Sequence, residues 1–290
     1  MARILGVGVA TLDIINDLAG YPPEDSEVRA LGQRIARGGN AANSLVVLSQ
    51  LGHECAWAGT YADEPDSRHV LEDLSRYQVD VNCACCVSPG KVPTSCVTLS
   101  RTTGSRTIVH YRDLREFGFS DFAAINLGLF DWIHFEGRNV ADLGQMLTLA
   151  RRTAPATALS LEIEKPRPGI ETLFADADVL MFSHAYAASR GWADPAQFLG
   201  ALGKEITGKA MVCGRGQAGA VALDTAGNQW QSAACVPSTV VDSLGAGDAF
   251  NAGVIDGLLQ GRTLQEVLTS ACRLAGKKCG QIGFDGLGMT

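Results

Sequence analysis

The sequence predicts an α/β fold in which a mostly parallel central sheet is covered by helices and carries a small β-sheet lid. The first sign is the alternation from Trp132 onward, where short apolar runs trade places with helical stretches, as strand–helix–strand units require. The second is that the runs at 132–135, 159–163, 179–182 and 210–213 are apolar on both faces, as strands covered by helices should be. The third is a pair of polar-alternating segments, about 14–37 and 94–113, that stand outside this rhythm and supply the lid. No linker, internal repeat or low-complexity stretch divides the chain, so residues 1–290 read as one domain.

In chain order, residues 3–15 begin as a strand-like apolar run whose end carries Asp13. A carboxylate just past a buried strand either makes a turn or meets a ligand, and both readings fit. Pro22 and Pro23 mark a loop, followed by short strands outside the core up to Arg37. Residues 38–52 read as a glycine turn opening a helix on Leu45, Leu48 and Leu51 and stopped by Gly52. Asn40 and Asn43 lie three apart near its start, so both amides can face one side toward a hydroxyl-bearing ligand; capping accounts for one of them. A strand at 55–62 and a helix at 65–77 follow. Segments 94–101 and 105–111 then form a hairpin around Thr102, Thr103 and Gly104, with Arg106 at the start of its second strand, facing an anion or solvent.

Within the alternating part, helices are expected at 140–152 and 194–206. Polar residues gather where the strands end: Glu136, Arg138 and Asn139, then Glu162, Glu164 and Lys165, then Ser183 and His184. That edge is where open α/β sheets bind ligands. Gly214 to Gly219 matches G-x-G-x-x-G, which would suggest a nicotinamide-dependent oxidoreductase if a helix followed. A strand follows instead, so the loop joins two strands. The stretch Asp242 to Phe250 reads as a glycine turn opening a helix on Phe250, Val254 and Leu258. Free N–H groups at such a turn can hold an anion, and Asp248 in the first turn either stabilises the helix end or accepts a proton. A last helix spans 263–277 and runs into a loop through Cys279 and Phe284.

A formal net charge of −7 and a pI near 5.2 argue against nucleic acid as a partner. The N-terminal apolar run meets Thr11 and Asp13 too early for a signal peptide or membrane span, so no membrane partner and a cytoplasmic location are expected. Nine cysteines without a disulfide framework fit reduced thiols, and Cys83, Cys85 and Cys86 lack the second pair a zinc site needs. Neither a Walker-type phosphate loop nor a G-x-S-x-G elbow occurs.

Gly38-Gly39-Asn40-Ala41-Ala42-Asn43 with its helix, and Asp242 to Phe250 about two hundred residues later, resemble the paired signatures of the ribokinase-like, or pfkB, carbohydrate kinases. Further stretches, among them Glu24 to Glu27, Ser105 to Val109, Glu136 to Asn139 and Ala275 to Gly280, resemble the ketohexokinase branch of that family almost to the C-terminus. The resemblance implies a ribokinase-like three-layer sandwich and transfer of the γ-phosphoryl group of ATP, with Mg2+, to a sugar hydroxyl. It implies Asp248 as catalytic base and Gly245, Ala246 and Gly247 as an anion hole. It implies Asp13, Gly39, Asn40 and Asn43 at the sugar, and Arg106, Gly216, Gln217, Ala218, Gly219 and Cys279 at the nucleotide. Asp25 matches a lid residue that reaches the partner subunit's sugar, which implies a homodimer through the lid. The expected acceptor is a ketose, fructose at its first carbon, with ribose or a nucleoside as the alternative inside the family and a catalytically silent sugar-binding protein outside it. Many members carry N-x-x-E near the metal, whereas Ser183-His184-Ala185-Tyr186 stands here, leaving Glu164 as a substitute ligand.

Overall fold

The computed structural model describes residues 1–103 and 105–288. The chain opens with β1 (Arg3–Val7), then passes into β2 (Thr11–Leu18) and β3 (Gly32–Gly38), and enters α1 (Asn40–Gln50). β4 (Glu54–Ala58), β5 (Thr60–Ala62), α2 (Pro65–Arg76), β6 (Val79–Asp80) and β7 (Cys85–Val87) follow. The long hairpin is β8 (Lys91–Ser100) and β9 (Arg106–Asp113); Gly104 of the expected turn lies outside the described residues. After the short α3 (Phe119–Phe122) come β10 (Trp132–Glu136), α4 (Val140–Thr153), β11 (Ala158–Ile163), β12 (Val179–Phe182), α5 (His184–Ser189) and α6 (Pro195–Glu205). The chain ends through β13 (Ala210–Gly214), β14 (Ala220–Leu223), β15 (Gln229–Ser232), α7 (Ala246–Leu259) and α8 (Leu264–Cys279).

Nine strands form the central sheet in the order β15-β14-β13-β12-β11-β10-β1-β4-β6, parallel except at the β13–β14 and β14–β15 pairings. Alternate residues of one strand feed different layers. Ile4 packs with Leu45 and Val254 on the α1, α7 and α8 side, while Leu5 and Val7 pack with Phe135, Leu143 and Leu147 on the α4 side. Helices on both faces therefore cover the apolar strands, as their composition requires. Among the described residues no helix is long and apolar enough to cross a membrane.

The lid is a four-stranded sheet, β3-β2-β8-β9. Its existence matches expectation, but its boundaries do not. Residues 3–15 are not one strand: β1 ends at Val7, and the chain leaves the central sheet to begin lid strand β2 at Thr11. Asp13 therefore sits on the lid, paired in register with Ala36 and Ser95, and not at the tip of a core strand. The expected strand at 55–62 likewise breaks at Gly59 into β4 of the central sheet and β5, which pairs only with β7. Apolar periodicity marks extended chain without naming its partner, so both breaks escape it. The last helix continues through Lys278 and Cys279, starting from a capping box in which Thr263 and Glu266 exchange hydrogen bonds.

Strand order reverses between β1 and β10, which are neighbours although the lid and β4 to β9 intervene in sequence. The crevice beyond the C-terminal ends of such a strand pair is the standard ligand position in open α/β sheets. Here the Val9 amide just after β1 donates to Glu136 Oε2 at the end of β10 (2.9 Å), closing its floor.

Candidate active site

A cleft of about 1180 Å³ lies between the lid and this edge of the central sheet. It gathers Asp13, Gly39, Asn40, Asn43, Arg106, Gly216, Gln217, Gly219, Gly245, Ala246, Gly247, Asp248, Glu164 and Cys279. Two expected residues are not on its wall. Ala218 is exposed in the short turn between β13 and β14, and Asp25 is exposed on the β2–β3 connection with φ 54°.

One part of the cleft is built on a glycine held in the left-handed region. Gly245 caps α7 with φ 78°, and a Cβ added there would meet Phe284 Cζ at 2.3 Å. The first-turn N–H groups of α7 that follow have no intrahelical acceptor and carry the positive end of the helix dipole. The loop before them is anchored by Asp242, whose carboxylate takes Lys278 Nζ (3.2 Å), Arg34 Nη2 (3.1 Å) and the Leu244 amide (3.0 Å). Burial opposes that ionised carboxylate, yet Lys278, the Leu244 amide and Arg34 together hold its pKa below the usual range. Lys278 is fully buried and also donates to the Asp242 carbonyl (3.0 Å). From the lid, Arg106 reaches Ser243 Oγ (3.3 Å).

Beside it, reaching into the same first turn of α7, runs a chain of buried polar side chains. Asn43 Nδ2 donates to Asp248 Oδ2 at 2.6 Å, and its Oδ1 accepts from Arg37 Nη1. Asn40 Nδ2 and Asn251 Nδ2 donate to Glu162 Oε1 at 3.1 and 3.0 Å. Burial pushes Asp248 up to about 7, with Glu164 and Glu136 adding repulsion and Asn43 and Arg37 opposing it. Burial, and then the Asp248, Glu136 and Glu164 charges, push Glu162 well above the usual carboxylate range. Two close carboxyls do not both ionise readily, and the donors Asn43 and Arg37 favour the charge on Asp248. Asp13, which accepts from Thr11 Oγ1 (2.8 Å), is raised by burial against the pull of Thr11, Ser95, Arg37 and His110.

Among the described residues, no group of three or more His, Cys, Asp or Glu side chains is arranged to hold a metal ion. Magnesium at a phosphoryl-transfer site needs less, since one or two carboxylates and the phosphate oxygens suffice. Glu162 Oε2 is buried with no hydrogen-bond partner among the described residues, and Glu164 beside it is exposed toward the cleft, so this pair fits such an ion. Ser183 and Tyr186 do not: Ser183 caps α5, accepting from the Tyr186 amide (2.9 Å), and Tyr186 is buried. The Gly214 to Gly219 loop leads from β13 into antiparallel β14, without the helix a dinucleotide fingerprint needs.

Sequence reasoning placed Glu162 on the rim without a role and passed over Asn251. A charge inside Leu-Ser-Leu-Glu-Ile and an amide inside an apolar helix were the signals available. Asp242 and Lys278 stood inside marked stretches without a role of their own, and Arg34 carried no local mark.

The sequence pattern of the pfkB family carbohydrate kinases matches residues 4–286. The chain is 41% identical over 293 residues to ketohexokinase of Mus musculus, covering 98% of each protein. Among solved structures it superposes on a putative ribokinase from Agrobacterium tumefaciens with TM-score 0.86 at 21% identity, covering 97% of this chain and 92% of that one. It also superposes on ribokinase from Cryptococcus neoformans var. grubii serotype A in complex with ADP, with TM-score 0.81 at 17% identity, covering 98% and 95%. At those identities the structural likeness shows the fold, a ribokinase-like sandwich.

Proposed function

The chain belongs to the pfkB family of carbohydrate kinases and is an ATP-dependent sugar kinase, and on that premise we propose that its acceptor is a ketose, fructose phosphorylated on its first hydroxyl. The observation that carries the phosphoryl-transfer reading is Asp248, buried in the first turn of α7 directly behind the left-handed Gly245, with Asn43 donating to it. The ketose reading is supported by the full-length identity to the mouse ketohexokinase.

Asp248 takes the acceptor's hydroxyl proton. A carboxyl raised toward neutrality suits that task, since it is ionised at working pH and basic enough to compete for a proton. The N–H groups at Ala246, Gly247 and Asp248 face the charge that spreads over the transferred phosphoryl oxygens. Asn43 has a second N–H left for a sugar hydroxyl, Asn40 lies one turn earlier, and the Asp13 carboxylate accepts from the sugar on the lid side. Glu162 and Glu164 would hold Mg2+, which supplies neutralisation of the triphosphate charge when bound. Gly216, Gln217, Gly219 and Cys279 would border the nucleotide, with Arg106 near its phosphates. The lid covers these groups and excludes water from the transfer.

Away from the cleft the lid region leaves Leu31, Val109 and Tyr111 exposed, which supports a homodimer through this sheet that would bring Asp25 to the partner's cleft. All nine cysteines are free thiols, in keeping with a reducing, cytoplasmic setting. The test is ADP release with ATP and a panel of fructose, other ketoses, ribose and adenosine. Fructose is expected to give the highest kcat/KM, and faster turnover of ribose or adenosine would overturn the ketose assignment.

A further inference from the structure

We infer that Arg37 is a positioning residue for phosphoryl transfer: it locks the Asn43 amide in the one orientation that presents an N–H to Asp248. This rests on the role proposed above for Asp248.

Arg37 is the sixth residue of lid strand β3, and its side chain is 1% exposed. A buried guanidinium is costly unless its donors are matched. Its Nε donates to Asp73 Oδ2 (2.8 Å), its Nη1 donates to Asn43 Oδ1, and its plane lies 5.6 Å from the Phe284 ring centroid. The bridge to Asp73, which is 29% exposed, does not by itself call for burial of the whole side chain. The inward contact to Asn43 does.

An asparagine amide has an accepting end and a donating end of almost the same shape, and it can turn end for end. Guanidinium only donates. Arg37 therefore demands Oδ1 of Asn43, and Nδ2 is left facing Asp248 at 2.6 Å. Turned the other way, the amide would set its oxygen against the carboxylate and strip that carboxylate of its donor. With Glu136, Glu162 and Glu164 also near Asp248, no other side chain among the described residues donates to its carboxylate, so the orientation of this one amide decides whether the base is held in place. The same Phe284 ring that Arg37 faces also lies 5.4 Å from Lys278 Nζ and against Gly245, so the base and the anion hole rest on one support.

The test uses the full-length protein. Arg37→Gln can accept as well as donate and lets the amide turn, whereas Arg37→Lys keeps a donor-only group. Arg37→Gln is expected to lower kcat roughly tenfold or more with the KM for ATP within about threefold, and Arg37→Lys to recover most of that loss. In an Asn43→Ala background, Arg37→Gln should cost no more than about twofold further, because it acts through Asn43. Arg37→Met gives the same reading should the glutamine variant fail to fold. Equal losses with and without Asn43, or lysine no better than glutamine, would overturn the inference. A readout independent of turnover is the Asn43 side-chain amide in asparagine-labelled protein by nitrogen NMR. Its hydrogen-bonded signal should be lost in both Arg37→Gln and Asp248→Ala; persistence in Arg37→Gln overturns the inference. Should Asp248→Asn retain full turnover, the base assignment fails, while the NMR comparison still decides whether Arg37 orients the amide.

Discussion

The two ends of the cleft are built from opposite materials. At the proposed acceptor end, Asn43, Glu162 and Asp248 are each 6–7% exposed; Asn43 joins Asp248 to Arg37, and Oε1 of Glu162 accepts from Asn40 and Asn251. At the nucleotide end, Val236, Val240 and Ile282 line the wall at 63%, 57% and 61% exposure, alongside the glycine turns of residues 214–219. Apolar side chains left open to solvent on a cleft wall make a shelf for a flat ring, while buried, interlocked polar groups hold a geometry before any ligand arrives. On the roles proposed above, one end is preorganised for chemistry, and the other would gain its burial only when the nucleotide sits down. Changes at the first should reach kcat; changes at the second should reach KM for ATP.

The sharpest break of that contrast is Asp248→Asn, which should lower turnover on the order of 10²- to 10⁴-fold while sugar binding by calorimetry persists. Between the two ends stands Gly245. Gly245→Ala puts a Cβ into Phe284 at a left-handed backbone position, and should cost about 1–3 kcal/mol in chemical denaturation together with roughly tenfold or more in kcat. At the open end, Ile282→Ser should raise KM for ATP only about three- to tenfold and leave kcat nearly unchanged. A large kcat loss there would erase the distinction between the ends.

The sequence displayed this contrast unevenly. The strands from β10 to β13 are legible because strands buried on both faces are unbroken apolar runs, and the turns at Gly39 and Gly245 are legible because glycine turns leading into helices are local events. Asp13 was misplaced because the apolar run from Arg3 reads as extended chain throughout, while the change of sheet after Val7 depends on partners elsewhere. Asn251 meets Glu162 across 89 residues, and Arg34 meets Asp242 across 208. A residue whose role exists only through such a contact has no neighbour in sequence to betray it. The glycine turn that opens α7 could be read in advance; the side chains that converge on Asp248 had to be seen.

The most direct test of the account is the pH dependence of the single-turnover rate with saturating fructose and ATP. Asp248 acts ionised, and its surroundings raise its pKa to about 7, so the proton it must shed is held to a higher pH than on an ordinary aspartate. The rate should fall close to tenfold per unit as pH drops below about 7, and level off above it. A rate that stays flat down to pH 5, with phosphoryl transfer still limiting, would contradict a buried, raised Asp248 as the base.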